Sequence, residues 1–259
     1  MAPRDRNRPT LREERRLWNA GHRLVAGMDE VGRGAWAGPV SVGVAVVVPS
    51  VRPSTMPGWL RDSKLLVEQR REEVFDEVAA WCLDGAVGHA SAAECDRWGM
   101  TAALRLAAYR ALGSLELAPH AVVVDGPVDL LRERPPPREA GAGPDEPSAP
   151  AGRWPAPPGE DPGPRRNAGE LPLPAVAVPS TVRPMIGADA TSAAVAAASV
   201  LAKVVRDRIM RREAEHFPAY GFESNKGYPS PAHQTALRGY GLSAIHRRSW
   251  AFVRDLPLG

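Results

Sequence analysis

The feature that most constrains the fold is a short apolar run that ends in two adjacent carboxylates and a glycine-rich turn. Residues 24–28 read LVAGM, and DEVGRG follows over 29–34. The run is short and rich in apolar residues, which predicts a buried strand. Carboxylates at a strand end beside flexible backbone suit hard cations such as Mg2+ or Mn2+, which take oxygen ligands. For this acid pair alone, a solvated turn after a strand is the simpler interpretation.

The same glycines allow a different interpretation. Gly32, Gly34 and Gly38 resemble a loosened dinucleotide-binding fingerprint, which needs a helix directly after the glycines to hold a pyrophosphate. The chain instead continues through Pro39 into a β-branched apolar run over 40–48, which predicts a second strand. Because a strand-turn-strand hairpin offers no helix N-terminus, the dinucleotide-binding hypothesis is the weaker one.

Length and composition set broad limits. The 259 residues suffice for one large domain or two small ones. A net charge of +3 permits a nucleic-acid partner without requiring one. Cys82 and Cys95 form no CxxC pair, which argues against a zinc site and favours a reducing compartment, so we expect a cytoplasmic protein. The Arg-rich N-terminus lacks a signal-peptide pattern, and no apolar run is long enough to predict a membrane span.

The composition divides the chain into unequal parts. The predicted parts are a basic arm at 1–20, a folded domain at 21–253, an insertion inside it at 132–170 and a tail at 254–259. We expect the arm to be disordered except for a helix near 11–18. The insertion holds 11 of the chain's 27 prolines, and Trp154 is its one large apolar residue. It cannot bury enough apolar surface to offset its ordering entropy, so disorder is expected there too.

Two further acids occupy positions comparable to the first pair. Asp125 ends the apolar run 121–124, and Asp189 stands just before a predicted helix over 193–216. A turn after a buried strand explains Asp125, and a favourable contact with the helix dipole explains Asp189. Both can equally serve as metal ligands, since acids at separate strand and helix ends can assemble one site.

Basic and aromatic residues mark places where a nucleic-acid backbone could bind. Lys64 precedes a predicted helix over 66–82, where a bound phosphate would offset the unfavourable helix dipole. Lys203 and four arginines make the later turns of the 193–216 helix basic, which indicates either a solvated face or a wall for a phosphate backbone. Tyrosines beside a lysine over 220–229 are typical of nucleic-acid surfaces, with an ordinary surface loop as an equal alternative.

Taken in order, these motifs resemble the bacterial ribonuclease HII family, which cuts RNA within RNA/DNA duplexes. The matching segments are GMDEVGRGAWAGPV at 27–40, DSK at 62–64, VVVDG at 122–126, GAD at 187–189, AAASVLAKVVRDR at 196–208, YGFESNKGYPSPAH at 220–233 and HRRSW at 246–250. The resemblance implies an α/β, ribonuclease-H-like fold, with a central mixed β-sheet flanked by helices and a small C-terminal helical part. The related ribonuclease HIII type usually carries an extra N-terminal domain, for which the residues before the first strand are too few.

The resemblance also implies an activity and its cofactors. The family's catalytic and metal-binding carboxylates correspond to Asp29, Glu30, Asp125 and Asp189. The implied reaction hydrolyses the RNA strand of RNA/DNA hybrids and cuts 5′ of single ribonucleotides in duplex DNA, leaving 3′-hydroxyl and 5′-phosphate ends, in ribonucleotide excision repair. Two Mn2+ or Mg2+ ions about 4 Å apart are the implied cofactors. No histidine is needed as a base, so His233 and His246 are expected to be structural or phosphate-facing, and we expect a monomer.

Substrate contacts are implied at Gly32, Arg33, Gly34, Lys64, Lys203 and Tyr228. The glycine-rich turn matches the element that recognises the ribose 2′-hydroxyl, and we expect its backbone N–H and C=O groups to be free for this. Tyr228 matches the tyrosine that packs on the deoxyribose beyond the junction. The chain departs from the family at Gly99, where asparagine is usual, and near Gly187, where lysine is usual. The alternatives are an inactive nucleic-acid-binding relative, which four intact acids argue against, and a dinucleotide oxidoreductase.

Overall fold

The computed structural model has one mixed β-sheet flanked by helices. It describes residues 9–50, 56–57, 60, 66–127, 129–132, 171–251 and 253. The strands are Val25–Val31 (β1), Val40–Val47 (β2), Asp84–Ala90 (β3), Ala121–Asp125 (β4) and Thr181–Met185 (β5). The helices are Arg12–Asn19 (α1), Glu68–Trp81 (α2), Ala92–Trp98 (α3), Met100–Gly113 (α4), Ala193–His216 (α5), Phe222–Asn225 (α6) and Pro231–Tyr240 (α7). None of these described helices combines the length and apolar character needed to cross a membrane.

The sheet has the strand order β3-β2-β1-β4-β5. β1 pairs antiparallel with β2, and β2 with β3, whereas β1 and β4 are parallel, as are β4 and β5. The predicted hairpin at 24–48 is therefore confirmed, and no helix follows its glycines to hold a dinucleotide. Because Met28 pairs with Val124 in the parallel register, the next residues of both strands, Asp29 and Asp125, reach the same edge of the sheet.

Helices cover both faces of the sheet. On β2, Val42 and Val44 belong to the core cluster that includes α4, while Ala45 belongs to the cluster that includes α5. This alternation follows from the two-residue period of a strand. The backbone of α5 lies directly on the sheet: a Cβ added to Gly27 would stand 2.1 Å from the carbonyl carbon of Ala194. Glycine on the strand and alanine on the helix make that close approach possible.

The helix expected near residues 11–18 is found as α1, whereas the disorder expected for the rest of the arm is wrong for its described residues, 9–20. Within this stretch α1 is helical, and Leu11 and Leu17 are buried against the domain. Glu14 is buried as well, and its Oε1 accepts hydrogen bonds from Ser192 Oγ at 2.6 Å and from the backbone N–H of Ala194 at 2.8 Å. The abundance of arginine concealed this apolar stripe. Residues 1–8, residues 133–170 of the predicted insertion and the tail at 254–259 lie outside the described residues.

The apolar residues at 175–178, just before β5, form no strand. Those residues are irregular, and the strand that pairs with β4 is β5, whose pairing starts at Thr181 opposite Ala121. Val176 still packs against the core, so its apolar character serves side-chain packing without strand pairing.

The C-terminal helices form the small helical part that the sequence predicts. α6 and α7 share an apolar cluster with Met210 of α5. The loop after β1 is attached to this part, because the backbone N–H groups of Trp36 and Ala37 donate to the carbonyl of Gly227 at 2.8 and 3.2 Å. The glycine-rich turn and the segment that carries Tyr228 are thereby held side by side.

Candidate active site

Three carboxylates converge at the edge where β1 and β4 end. Asp29 lies on β1, Asp125 ends β4, and Asp189 lies in a short 3-10 turn between β5 and α5. One ligand oxygen from each lies within 4.8 Å of the others. Asp125 also fixes the turn, because its Oδ1 accepts a hydrogen bond from the backbone N–H of Ala188 at 2.8 Å. The structure thus brings together three of the four acids predicted as metal ligands.

Burial makes this cluster electrostatically unfavourable. Asp29 is 4% exposed. Its pKa is raised to about 7, mainly by burial and further by the charges of Glu30 and Asp125. The positive charge of Lys203 opposes this rise in pKa, because its Nζ lies 3.9 Å from Asp29 Oδ2. The same Nζ donates a hydrogen bond to Ser199 Oγ at 2.8 Å. Lys203 therefore lies at the acids themselves, with little of its side chain exposed.

The donor set fits a divalent cation. Carboxylate oxygens are the ligands that hard cations take, and the group of three contains neither the cysteine nor the histidine that a structural zinc site would use. A cation held by Asp29, Asp125 and Asp189 would also offset the repulsion among them.

Glu30 lies next to the cluster but outside the group of three. Its pKa is raised, mainly by burial, and the charge of Asp125 contributes to the rise while Arg33 opposes it. One guanidinium nitrogen of Arg33 lies 3.9 Å from Glu30 Oε1, and two thirds of the Arg33 side chain is exposed. Adjacent strand residues point in opposite directions, which accounts for the separation of Glu30 from Asp29.

A buried arginine binds the backbone of the glycine-rich turn and of Gly38 after it. Arg247 is fully buried and donates to the carbonyls of Gly32 at 2.7 Å, Arg33 at 3.1 Å and Gly38 at 3.1 Å. Gly32 has φ +85°, and a Cβ there would stand 2.2 Å from Arg206 Nε, so only glycine fits. Sequence reasoning missed this role of Arg247, because two adjacent arginines, Arg247 and Arg248, are typical of an exposed segment.

Tyr228 also contacts the glycine-rich turn. Its hydroxyl accepts a hydrogen bond from the backbone N–H of Gly32 at 3.2 Å, and its ring lies 5.3 Å from the guanidinium carbon of Arg206. The expectation that the backbone groups of Gly32 are free is therefore wrong: its N–H is donated to Tyr228 and its carbonyl accepts from Arg247. Tyr228 keeps 37% of its surface exposed, so the ring remains accessible beside the acids' edge of the sheet.

Other predicted positions have different outcomes. Lys64 lies outside the described residues. Gly99 has φ +79° and joins α3 to α4, a conformation that favours glycine over most other residues. Gly187, also with positive φ, begins the turn that carries Asp189. Arg206, one of the four arginines read as a basic face, is fully buried and donates to the carbonyls of three residues, Pro39, Lys226 and Ala37.

The fold and the acidic edge define a ribonuclease-H-like hydrolase. The structure resembles that of ribonuclease H2 from Pyrococcus horikoshii, with a TM-score of 0.62, 27% identity, and coverage of 90% of this chain and 96% of that chain. The predicted fold class is thereby confirmed.

Sequence comparison narrows the class to one family. The ribonuclease HII family profile matches residues 26–138 and 175–253. The chain is 41% identical to ribonuclease HII of Streptomyces coelicolor, covering 96% of this chain and 86% of that protein. It is also 41% identical to ribonuclease HII of Thermus thermophilus, covering 93% of both chains. The chain belongs to the ribonuclease HII family and is an endonuclease of the ribonuclease H type.

Proposed function

We propose that this endonuclease hydrolyses the RNA strand of RNA/DNA hybrids and cuts duplex DNA on the 5′ side of a single embedded ribonucleotide, as ribonucleotide excision repair requires. The observation that carries the proposal is the convergence of Asp29, Asp125 and Asp189 within 4.8 Å, beside a glycine-rich turn that is bonded to Tyr228. The acids supply the hydrolytic chemistry, and the turn with its tyrosine supplies a surface that can recognise a sugar.

The acids have the role of metal ligands in this proposal. Two Mg2+ or Mn2+ ions held by Asp29, Glu30, Asp125 and Asp189 would supply an acidified water and charge stabilisation for the leaving oxygen. Lys203, whose Nζ is 3.9 Å from Asp29 Oδ2, adds a fixed positive charge near a scissile phosphate. Asp125 also holds the turn that carries Asp189, because its Oδ1 accepts a hydrogen bond from the backbone N–H of Ala188.

Recognition falls to the turn and the tyrosine. The 2′-hydroxyl is the chemical mark that separates a lone ribonucleotide from plain DNA. Gly34 permits close approach of a sugar, because no atom lies within 4 Å of the place where its Cβ would stand. Gly32 contributes through its N–H, which the Tyr228 hydroxyl already accepts at the same surface. Arg33 presents an exposed guanidinium that can hold the adjacent phosphate. The exposed part of the Tyr228 ring can then pack on the following deoxyribose, where a 2′-hydroxyl would crowd it.

A cleavage assay with end-group analysis tests the proposal. The substrates are a DNA duplex with one ribonucleotide, a full RNA/DNA hybrid and an all-DNA duplex, each incubated with Mg2+ or Mn2+. We expect cuts in the first two only, with the ribonucleotide at the 5′-phosphate end of the product. A 2′,3′-cyclic phosphate would exclude attack by water, and intact lone-ribonucleotide duplex beside a cleaved hybrid would exclude junction recognition.

A further inference from the structure

Two buried histidines lie between the C-terminal segment and Tyr228. His233 and His246 are 0% and 1% exposed, and their Nε2 atoms are 2.9 Å apart. His233 Nδ1 lies 2.9 Å from the backbone carbonyl oxygen of Tyr228. His246 Nδ1 lies 2.9 Å from the backbone nitrogen of Ser243. Four groups therefore form one continuous chain of hydrogen bonds through the interior.

The two ends of this chain determine where its protons are. A backbone N–H can only donate, so Ser243 requires an unprotonated Nδ1 on His246. The Tyr228 carbonyl can only accept, so His233 must carry its proton on Nδ1. In the neutral pair, His246 then donates from Nε2 to the bare Nε2 of His233. An additional proton on either ring would set two N–H groups against each other, and burial lowers the pKa of both histidines.

Hydrogen bonds thus fix both backbone polar groups of Tyr228. Its N–H donates to the carbonyl of Asn225 at 2.9 Å, and its carbonyl accepts from His233. The direction of the peptide decides where the tyrosine side chain points, and the phenol reaches Gly32 at 3.2 Å. We propose that His233, oriented by His246, is a positioning residue that sets Tyr228 for recognition of the sugar at the cleavage junction, an inference that rests on the proposed function of Tyr228.

A merely structural role would have different consequences. The histidines also pack against aromatic residues, since the rings of His233 and Phe222 are 5.3 Å apart and those of His246 and Tyr220 are 4.9 Å apart. If packing were their whole contribution, any loss on substitution would be independent of Tyr228. If His233 acts through Tyr228, the loss disappears once the tyrosine ring is removed.

Two substitutions of His233 divide its hydrogen bonds. His233→Asn keeps an N–H near the position of Nδ1 and gives up the contact with His246. His233→Gln keeps an acceptor near the position of Nε2 and gives up the donor to Tyr228. Each leaves one buried polar group without its partner, so we expect similar losses of thermal stability. We expect His233→Gln to lower kcat/KM on a lone-ribonucleotide duplex by roughly tenfold, as for one lost buried hydrogen bond, and His233→Asn to restore most of it.

The decisive experiment is a double-mutant cycle with Tyr228→Ala, read on the same duplex. In the alanine background, His233→Gln should change kcat/KM by less than about twofold, because coupled residues are not additive. A full tenfold loss there would overturn the positioning role. If Tyr228→Ala alone kept the kcat/KM of the wild-type protein, that result would refute the proposed role of the tyrosine, and the inference with it.

A measurement on the unmutated protein is independent of folding and activity. Nitrogen NMR of the histidine rings should find His246 protonated at Nε2 and His233 protonated at Nδ1 at neutral pH. The reverse assignment on either ring would break the chain of hydrogen bonds and overturn the inference.

Discussion

The phenol oxygen of Tyr228 accepts a hydrogen bond from the backbone N–H of Gly32 at 3.2 Å, although 196 residues separate them in sequence. This contact joins the C-terminal helical part to the turn that follows the first two acids. Its donor and acceptor come from two separate sequence motifs, so the motifs form one surface. In the proposed function, substrate that binds the turn would compete with this bond or extend it, which would make the tyrosine hydroxyl part of the same recognition element.

The first prediction concerns the acids. Asp29→Asn keeps the shape of the side chain and an acceptor for the N–H of Glu30, but removes a charged ligand. We expect a loss of cleavage of at least about 100-fold, in line with the several kcal/mol that metal-ion catalysis supplies. Wild-type protein should gain about 2.7 kcal/mol of stability when Mn2+ is present at 100 times its Kd, and the variant clearly less.

Thermal unfolding with and without Mn2+ measures that difference. Glu73→Gln is the matched control, since Glu73 is a half-exposed carboxylate that pairs with Arg70 on α2, away from the acidic edge. It should retain both cleavage and the Mn2+ shift. An undiminished shift in Asp29→Asn would remove Asp29 from the set of metal ligands.

The second prediction concerns Arg247, which donates to two backbone carbonyls of the glycine-rich turn and to that of Gly38 after it. Arg247→Met keeps much of the length but leaves buried acceptors without donors, so we expect a loss of about 3 kcal/mol in the free energy of unfolding. Urea denaturation measures it. Arg248→Met, at the exposed neighbouring position, should lose less than about 0.5 kcal/mol, as is usual at surfaces. Equal losses in both variants would contradict the role given to Arg247.

The sequence indicates where Asp29, Asp125 and Asp189 lie, but it gives no sign that Arg206 and Arg247 are buried, and both outcomes have one physical reason. Asp125 follows a fully apolar run, so its place at a strand end can be inferred locally. The helix over 193–216 was likewise predicted with its observed bounds. Arg206 is fully buried because backbone carbonyls from distant segments satisfy its guanidinium, and composition carries no signal for such partners. The same holds for Glu14, whose partners Ser192 and Ala194 lie about 180 residues away.

The third prediction concerns stability in acid. Glu94 accepts from both terminal nitrogens of Arg110, at 2.9 and 2.7 Å, and this pairing is the main cause of the lowering of its pKa to about 2. Because the folded pKa is below the unfolded value, the stabilisation is complete above about pH 4.5 and is lost as the pH falls towards 2. With Arg110 38% exposed, solvent screening reduces the contribution to about 1–2 kcal/mol.

Glu94→Gln isolates this pairing, because an amide can still accept from the N–H of Ser91 and keep the capping of α3. The difference in unfolding free energy between wild type and variant should be largest near neutral pH and vanish near pH 2. Arg110→Met should give the same pH dependence. A difference that stays constant across this range would show that the ion pair contributes nothing.

The fourth prediction concerns the segment at 132–170, which we propose is an insertion that adds nothing to the core. The family match is interrupted between residues 138 and 175, which supports the proposal. Replacing residues 134–170 with a short Gly-Ser linker should change the melting temperature by less than about 2 °C, since loop closure depends only weakly on length. Calorimetry of both proteins decides it. A loss of several degrees would indicate packing, with Trp154→Ala as the variant that would identify its source.

The last prediction separates the ring of Tyr228 from its hydroxyl. Tyr228→Phe keeps the ring beside the Arg206 guanidinium but leaves the N–H of Gly32 without the phenol, so we expect kcat/KM on a lone-ribonucleotide duplex to fall about fivefold. Tyr228→Ala also removes the surface on which a sugar packs, and a further loss of about tenfold should follow.

Binding of the duplex, measured in Ca2+ to prevent cleavage, should weaken far less in either variant, because the phosphate contacts come from other residues. Cleavage inside a continuous RNA strand should depend less on the ring, since the sugar beyond the cut then carries a 2′-hydroxyl that crowds it. Equal losses on both substrates would mean that the tyrosine supports the turn without distinguishing ribose from deoxyribose.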